Sequence, residues 1–111
     1  MGISFAITAY NEHEELERLL NQIIKIVKPT DEIIIQLDSK ATIEVISLVD
    51  SFISKNKPNF LVKRCFFELN NDFGSFKNNL KSYCTKDWIF QIDADETLSE
   101  TFCRIIHEVL E

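Results

Sequence analysis

Glycine and proline are scarce, with two of each in 111 residues, so no flexible linker or low-complexity segment interrupts the chain. With only Gly2 and Gly74 available, a glycine-rich phosphate loop after the first strand is excluded, and with it the usual nucleotidyltransferase arrangement. Basic residues are outnumbered, 12 Lys and Arg against 18 Asp and Glu, and no basic stripe occurs, which argues against a nucleic-acid partner. The three cysteines, Cys65, Cys84 and Cys103, are odd in number and form no Cys-x-x-Cys pair. That excludes a disulfide framework and fits free thiols with packing roles in a reducing, cytoplasmic setting. The amino terminus lacks a basic region followed by a long apolar run, so no signal peptide is expected. No apolar run approaches the length of a membrane span.

What is present suits one domain over residues 1–111: 45% of residues are hydrophobic, nine of them Phe, and the net charge is −6. The acidity remains compatible with a small anionic ligand, because a bound metal inverts the local field. Ile3 to Ala9 predicts a short strand. Asn11 with Glu14 predicts a helix cap, and Leu16, Leu19, Leu20, Ile23, Ile24 and Val27 mark the helix face behind it. Glu32 to Leu37 predicts a strand buried on both sides, ending at Asp38. Ile43, Ile46, Val49 and Phe52 or Ile53 predict a second helix. Phe60 to Phe67, interrupted by Lys63 and Arg64, predicts an edge strand. Residues 70–74 predict a loop, and Phe76, Leu80 and Tyr83 or Cys84 a third helix. Trp88 to Ile92 predicts a fourth strand, and Leu98, Phe102, Ile105, Ile106 and Val109 the inward face of a last helix. The order βαβαβαβα predicts a Rossmann-like three-layer α/β sandwich with a mostly parallel sheet of order 3-2-1-4.

The fourth strand ends in Asp93-Ala94-Asp95-Glu96. In open parallel sheets ligands bind outside the carboxyl ends of the strands. Two carboxylates spaced i, i+2 there can grip a divalent cation that holds phosphate oxygens. The same acids also suit a helix start, because Thr97-Leu98-Ser99-Glu100 has the form of a capping box. Asp38 suits a cap of the second helix as well as a site. Thr8 suits local hydrogen bonding and Lys77 a solvated surface as well as a phosphate contact. His13 and His107 have no partner ligands at metal spacing and are expected on the surface. A phosphate-receiver domain wants acids after the first strand, where Tyr10-Asn11 stands.

Ile3-Ser4-Phe5-Ala6-Ile7-Thr8-Ala9-Tyr10-Asn11-Glu12 resembles the opening strand and T-x-Y-N-E of family 2 glycosyltransferases. Asp31 to Ser39 resembles their second strand, which ends in an acid. Phe73-Gly74-Ser75-Phe76-Lys77-Asn78-Asn79, followed by Asp87 to Glu96, is similar to the branch containing lipopolysaccharide-core glucosyltransferases. The resemblance implies a GT-A fold and transfer of a sugar from a nucleotide-diphosphate sugar, a UDP-sugar, to a saccharide or lipid-linked acceptor, assisted by Mg²⁺ or Mn²⁺. Carried onto these positions, Thr8 and Asp38 contact the nucleoside, Lys77 lies near the diphosphate and Asn78 supports its loop. Asp93 faces the ribose or the metal's water shell, and Asp95 is the direct metal ligand.

Lys40 departs from the family, which has a Gly/Ser-rich turn after the acid of the second strand. Family members also continue well past the acidic motif, whereas 16 residues follow Asp95 here, so a donor-binding half without the acceptor half is expected. No catalytic base is identified; Glu108 and Glu111 are expected to be solvated. The alternative function is a non-catalytic nucleotide-binding or assembly module derived from such an enzyme. The uncharged edge Trp88 to Ile92 predicts a homo-oligomer covering some of Trp88, Phe90, Phe102 and Ile106.

Overall fold

The computed structural model of the protein describes residues 2–110, with the side chains at 105 and 107–110 outside the description. The expectations for Ile105, His107, Glu108, Val109 and Glu111 therefore lie outside the described residues. Strands β1 (Ile3–Ala9), β2 (Glu32–Asp38), β3 (Leu61–Phe67) and β4 (Trp88–Asp93) alternate with helices α1 (His13–Ile23), α2 (Ile43–Asn56), α3 (Phe73–Ser82) and α4 (Glu100–Leu110). They form one four-stranded sheet of order β3-β2-β1-β4, with all three pairings parallel.

Strand order fixes the layers. The chain steps β1 to β2 to β3 in one direction, then returns past both to place β4 beside β1. Right-handed crossovers therefore put α1 and α2 on one face and α3 on the other. Phe5, Ile7, Ile33, Ile35, Leu37 and Ile92 accordingly pack with Leu16, Leu19, Leu20, Ile23, Val45 and Val49. Leu98 and Ile106 join this face, where the Phe102 ring lies 4.6 Å from that of Phe90. Gln22 of α1 clamps the approach to α4, donating to Leu98 O at 3.0 Å and accepting from Leu98 N at 3.1 Å. On the opposite face Ala6 and Ile34 pack with Leu80 of α3, flanked by Cys65 and Cys84. Burial, with Cys84 beside it, pushes the Cys65 thiol up to about 11, as suits a packing role.

Local details depart from the sequence pattern at the helix starts, where a side chain within three residues takes a backbone amide. Asn11 does not cap α1. Glu12 stands at the cap position, and its carboxylate folds back to accept from Tyr10 N and Asn11 N, both at 2.8 Å. His13 is half-buried rather than at the surface, and Ile24 is exposed. Thr42 caps α2 by accepting from Val45 N, which turns Ile43 outward at 76% exposure and moves the buried stripe to Val45 and Val49. Gly74 lies inside α3, because Asp72 caps that helix by accepting from Ser75 N at 3.0 Å. Gly2 is required sterically, since a Cβ there would meet Thr30 O at 2.2 Å.

Two buried acids organise the amino edge of the sheet. Asp31 accepts from Ile3 N and from Lys28 N, each at 2.9 Å. Glu32 accepts from Ser4 Oγ and Thr85 N, each at 2.6 Å, and from Thr85 Oγ1 at 3.0 Å. Burial pushes the Glu32 carboxyl up, but the Ser4 and Thr85 hydrogen bonds outweigh it and hold the group below its ordinary value of 4.5. A depressed folded-state value stabilises the fold fully above 4.5, and this contribution is lost as pH falls through the lower folded value. Glu32→Gln is expected to cost about 1–3 kcal/mol at pH 7. Urea unfolding at pH 7 and pH 3 checks this, with the variant's deficit shrinking at the lower pH.

Candidate functional site

The carboxyl ends of β1, β2 and β4 and the start of α3 enclose a cleft of about 280 Å³. Thr8, Asp38, Lys77, Asp93 and Asp95 all line it, so the structure brings the five residues singled out in the sequence to one place. Each arrives by a different local device.

Thr8 and Asp93 are register partners on adjacent parallel strands, and Thr8 Oγ1 donates to Asp93 Oδ1 at 2.8 Å. The ladder runs one residue further, with Ala94 N donating to Thr8 O at 2.9 Å. Ala94 is fully buried, and the chain leaves the sheet across it with Asp93 half-buried and Asp95 exposed. Glu96 turns back, its carboxylate accepting from Asp93 N at 2.8 Å while Glu96 N donates to Asp93 O at 3.0 Å. Of the three acids, Glu96 is therefore committed to the turn, whereas Asp93 and Asp95 line the cleft.

Asp38 is 7% exposed and does not cap α2. Its Oδ2 accepts from Lys40 N at 3.0 Å and its Oδ1 from Leu69 N at 2.8 Å. One carboxylate thereby joins the β2–α2 turn to the loop after β3. Thr42 N donates to Tyr10 O at 3.2 Å and draws the β1–α1 turn into the same edge. The loop after β3 reverses through Asn70 and Asn71, with φ of 44° and 59°, the left-handed region that asparagine tolerates better than most side chains.

Lys77 is half-buried on α3, and its direction is set by neighbours that the sequence pattern did not reveal. Gln36, fully buried on β2, donates to Phe76 O at 2.6 Å and accepts from Asn79 Nδ2 at 2.7 Å. These bonds fix the rotation of α3, so Asn79 supports that helix while Asn78 is exposed. Tyr10, Glu12, Leu69, Phe73 and Phe76 also line the cleft and were not assigned roles from the sequence. Tyr10 belongs to the T-x-Y-N-E segment and Phe73 opens the segment containing Lys77. Both rings are substantially exposed, at 43% and 62%. A smaller recess of about 220 Å³ adjoins the cleft through Tyr10, Asp38 and Leu69 and is lined further by Lys40, Glu68, Asn70 and Asn71.

Among the described residues no group of three or more His, Cys, Asp or Glu is placed to hold a metal ion. Asp93 and Asp95 instead supply a two-carboxylate edge. That suits a hard divalent cation whose remaining ligands are water and substrate phosphate oxygens.

A parallel Rossmann-like sheet with acids gathered at its carboxyl edge defines an α/β protein whose cleft lies where open parallel sheets bind ligands. The family model described as glycosyl transferase family 2 matches residues 4–111, and the chain belongs to that family. The SPbeta prophage-derived glycosyltransferase SunS of Bacillus subtilis (strain 168) is 31% identical over 98 residues, covering 88% of this chain. Glycosyltransferase SunS of Bacillus phage SPbeta matches with the same identity and coverage. The chain spans 21% of the length of these curated relatives. The crystal structure of S. aureus TarS 1-349 superposes with a TM-score of 0.76 at 20% identity, over 98% of this chain and 32% of that one. TarS 1-349 in complex with UDP superposes at 0.70 with 22% identity, over 96% and 32% of the respective chains. These superpositions establish the GT-A-type fold over the span that the two chains share.

Asp38→Ala is expected to release Lys40 N and Leu69 N together and to destabilise the fold by about 2 kcal/mol, as loss of a carboxylate with two backbone donors does. Hydrogen exchange at the Lys40 and Leu69 amides checks this. Both are expected to accelerate in Asp38→Ala relative to wild type.

Proposed function

We propose that the cleft binds a nucleotide-diphosphate sugar, a UDP-sugar, together with Mg²⁺ or Mn²⁺, and serves as the donor site for sugar transfer to a saccharide or lipid-linked acceptor. The observation that carries this is the convergence of Thr8, Asp38, Lys77, Asp93 and Asp95 on one cleft at the carboxyl edge of a family 2 glycosyltransferase sheet. The complex of TarS with UDP supports the choice of nucleotide.

In this account Asp38, with both oxygens held by backbone amides, keeps spare lone pairs for a base N–H. Tyr10 and Phe73 offer apolar ring faces for the nucleoside. Thr8 orients Asp93 toward the ribose or the metal's water shell, and Asp95 is the direct metal ligand. Lys77 places an ammonium near the diphosphate.

Charge supports the metal. Among the described residues, the cleft lining carries four carboxylates, from Glu12, Asp38, Asp93 and Asp95, against the single ammonium of Lys77. A diphosphate brought there without a cation meets net repulsion. When bound, the metal neutralises charge building on the leaving diphosphate. The free thiols of Cys65, Cys84 and Cys103 support a cytoplasmic setting, and no helix among the described residues is long and apolar enough to cross a membrane.

Calorimetry is expected to register UDP binding that Mn²⁺ strengthens on the order of tenfold or more, the scale of one charge-assisted contact. Asp95→Asn is expected to abolish that gain while leaving the circular dichroism spectrum unchanged. Equal UDP affinity with and without metal in the wild type would refute metal assistance. Release of free sugar from a UDP-sugar, lost in Asp95→Asn, separates a catalytic site from a binding-only module.

The β4 edge supports self-association. Trp88 and Ile89 are 45% and 44% exposed on opposite faces of a strand paired on one side only among the described residues. From Trp88 to Gln91 no charge blunts this edge. A homodimer in which β4 pairs with its copy is expected by light scattering at about 50 μM, a concentration at which open edges associate. Ile89→Lys is expected to return it to a monomer.

A further inference from the structure

Lys40 shares the smaller recess with Asp38, Glu68 and the two left-handed residues Asn70 and Asn71. Its backbone position is tightly set. Lys40 N donates to Asp38 Oδ2 at 3.0 Å, Ala41 N donates to Asp38 O at 2.9 Å, and Thr42 N donates to Tyr10 O at 3.2 Å. The turn therefore holds residue 40 against Asp38 and against the end of β1. The recess opens into the main cleft through Tyr10, Asp38 and Leu69, the residues that line both.

This recess is lined by a residue whose side chain only accepts, the Asp38 carboxylate, and by an exposed residue whose side chain only donates, Lys40 with its ammonium. Each Asp38 oxygen already accepts one backbone N–H and keeps one further acceptor position. A ligand edge complementary to this pair presents an N–H next to a carbonyl oxygen. Uracil has that edge at N3–H and O4, and guanine has it at N1–H and O6. Cytosine and adenine present the reverse. A bare ring nitrogen would face the carboxylate, and an amino group would face the ammonium. Such mismatches leave desolvated groups unpaired, which is how a polar pocket rejects an analogue.

We propose that Lys40 is a base-selecting residue of the nucleotide site, donating to the ring carbonyl of a base whose adjacent ring N–H is accepted by Asp38. This rests on the cleft being a nucleoside-diphosphate site and deepens it by naming the class of base, one with an N–H beside a carbonyl. It also gives a role to the position at which the turn after β2 departs from the family's Gly/Ser-rich pattern.

The test measures affinities of the full chain for UDP, GDP, CDP and pyrophosphate at fixed Mn²⁺, in wild type, Lys40→Met and Lys40→Arg. Wild type is expected to prefer UDP or GDP over CDP, and the two arms identify which carbonyl-bearing base is taken. Lys40→Met is expected to weaken binding of the preferred nucleotide about tenfold, the low end for a hydrogen bond from a charged donor, and to narrow its margin over CDP. Lys40→Arg is expected to retain most of that margin, and pyrophosphate binding is expected to be the same in all three proteins. An unchanged margin in Lys40→Met overturns the proposal. So does a loss of pyrophosphate affinity equal to the loss for UDP, which would assign Lys40 to the phosphates. A wild type that binds none of the nucleotides overturns the donor-site reading itself, an outcome distinct from failure of Lys40 alone.

Discussion

The carboxylate of Asp38 accepts one backbone N–H from each of two loops, and the cleft depends on that arrangement. Loops leaving a parallel sheet carry amide groups that the strand ladder cannot satisfy, and such groups demand partners once buried. Asp38 supplies the partner for Lys40 N on one side and for Leu69 N on the other, which holds the recess and the main cleft against a common wall. The amino edge of the sheet uses the same device, with Asp31 and Glu32 taking Ile3 N, Lys28 N and Thr85 N. β2 thus begins and ends in a buried acid, and the acid at its carboxyl end lines the cleft. The shared device is structural, and position along the strand decides which acid is available to a ligand.

The cleft has a divided construction. Thr8, Asp93 and Ala94 belong to the ladder between β1 and β4 and share its rigidity. Lys77 arrives from the opposite layer and owes its direction to the contacts of Gln36 with Phe76 and Asn79. Asp95 stands just past the ladder, exposed, where a cation and phosphate oxygens can complete a coordination shell. The cleft thus combines acids fixed by the sheet and its turns with an exposed acid just beyond the ladder.

Elements governed by local pattern were legible in the sequence. The apolar runs of β1, β2 and β4 gave the strands, and their order with right-handed crossovers gave the sheet sequence 3-2-1-4. Acids at strand ends gave the positions of Asp38, Asp93 and Asp95, because a parallel sheet carries all its strand ends to one edge. Less legible were the choice among neighbouring side chains for a helix-start amide and every feature governed by a distant partner. Glu12 displaced Asn11 at the start of α1 through bonds to Tyr10 N and Asn11 N, and a cap at Thr42 shifted the buried stripe of α2 by turning Ile43 to solvent. Asp31 and Glu32 stand at a turn and a strand start with no local signal of burial, yet both are buried against partners more than 25 residues away. Gln36 sat inside an apolar run with nothing to signal its contact with Asn79, 43 residues further on.

The central claim is that the acids after β4 and the nucleotide share one divalent cation. Nuclear magnetic resonance with Mn²⁺ tests it most directly, because the paramagnetic ion broadens amide signals near it. Mn²⁺ added with UDP is expected to broaden Asp93 through Glu96 selectively, while Mn²⁺ alone at the same concentration leaves them nearly unchanged. Broadening that is the same without UDP, or that falls elsewhere on the surface, would contradict the account.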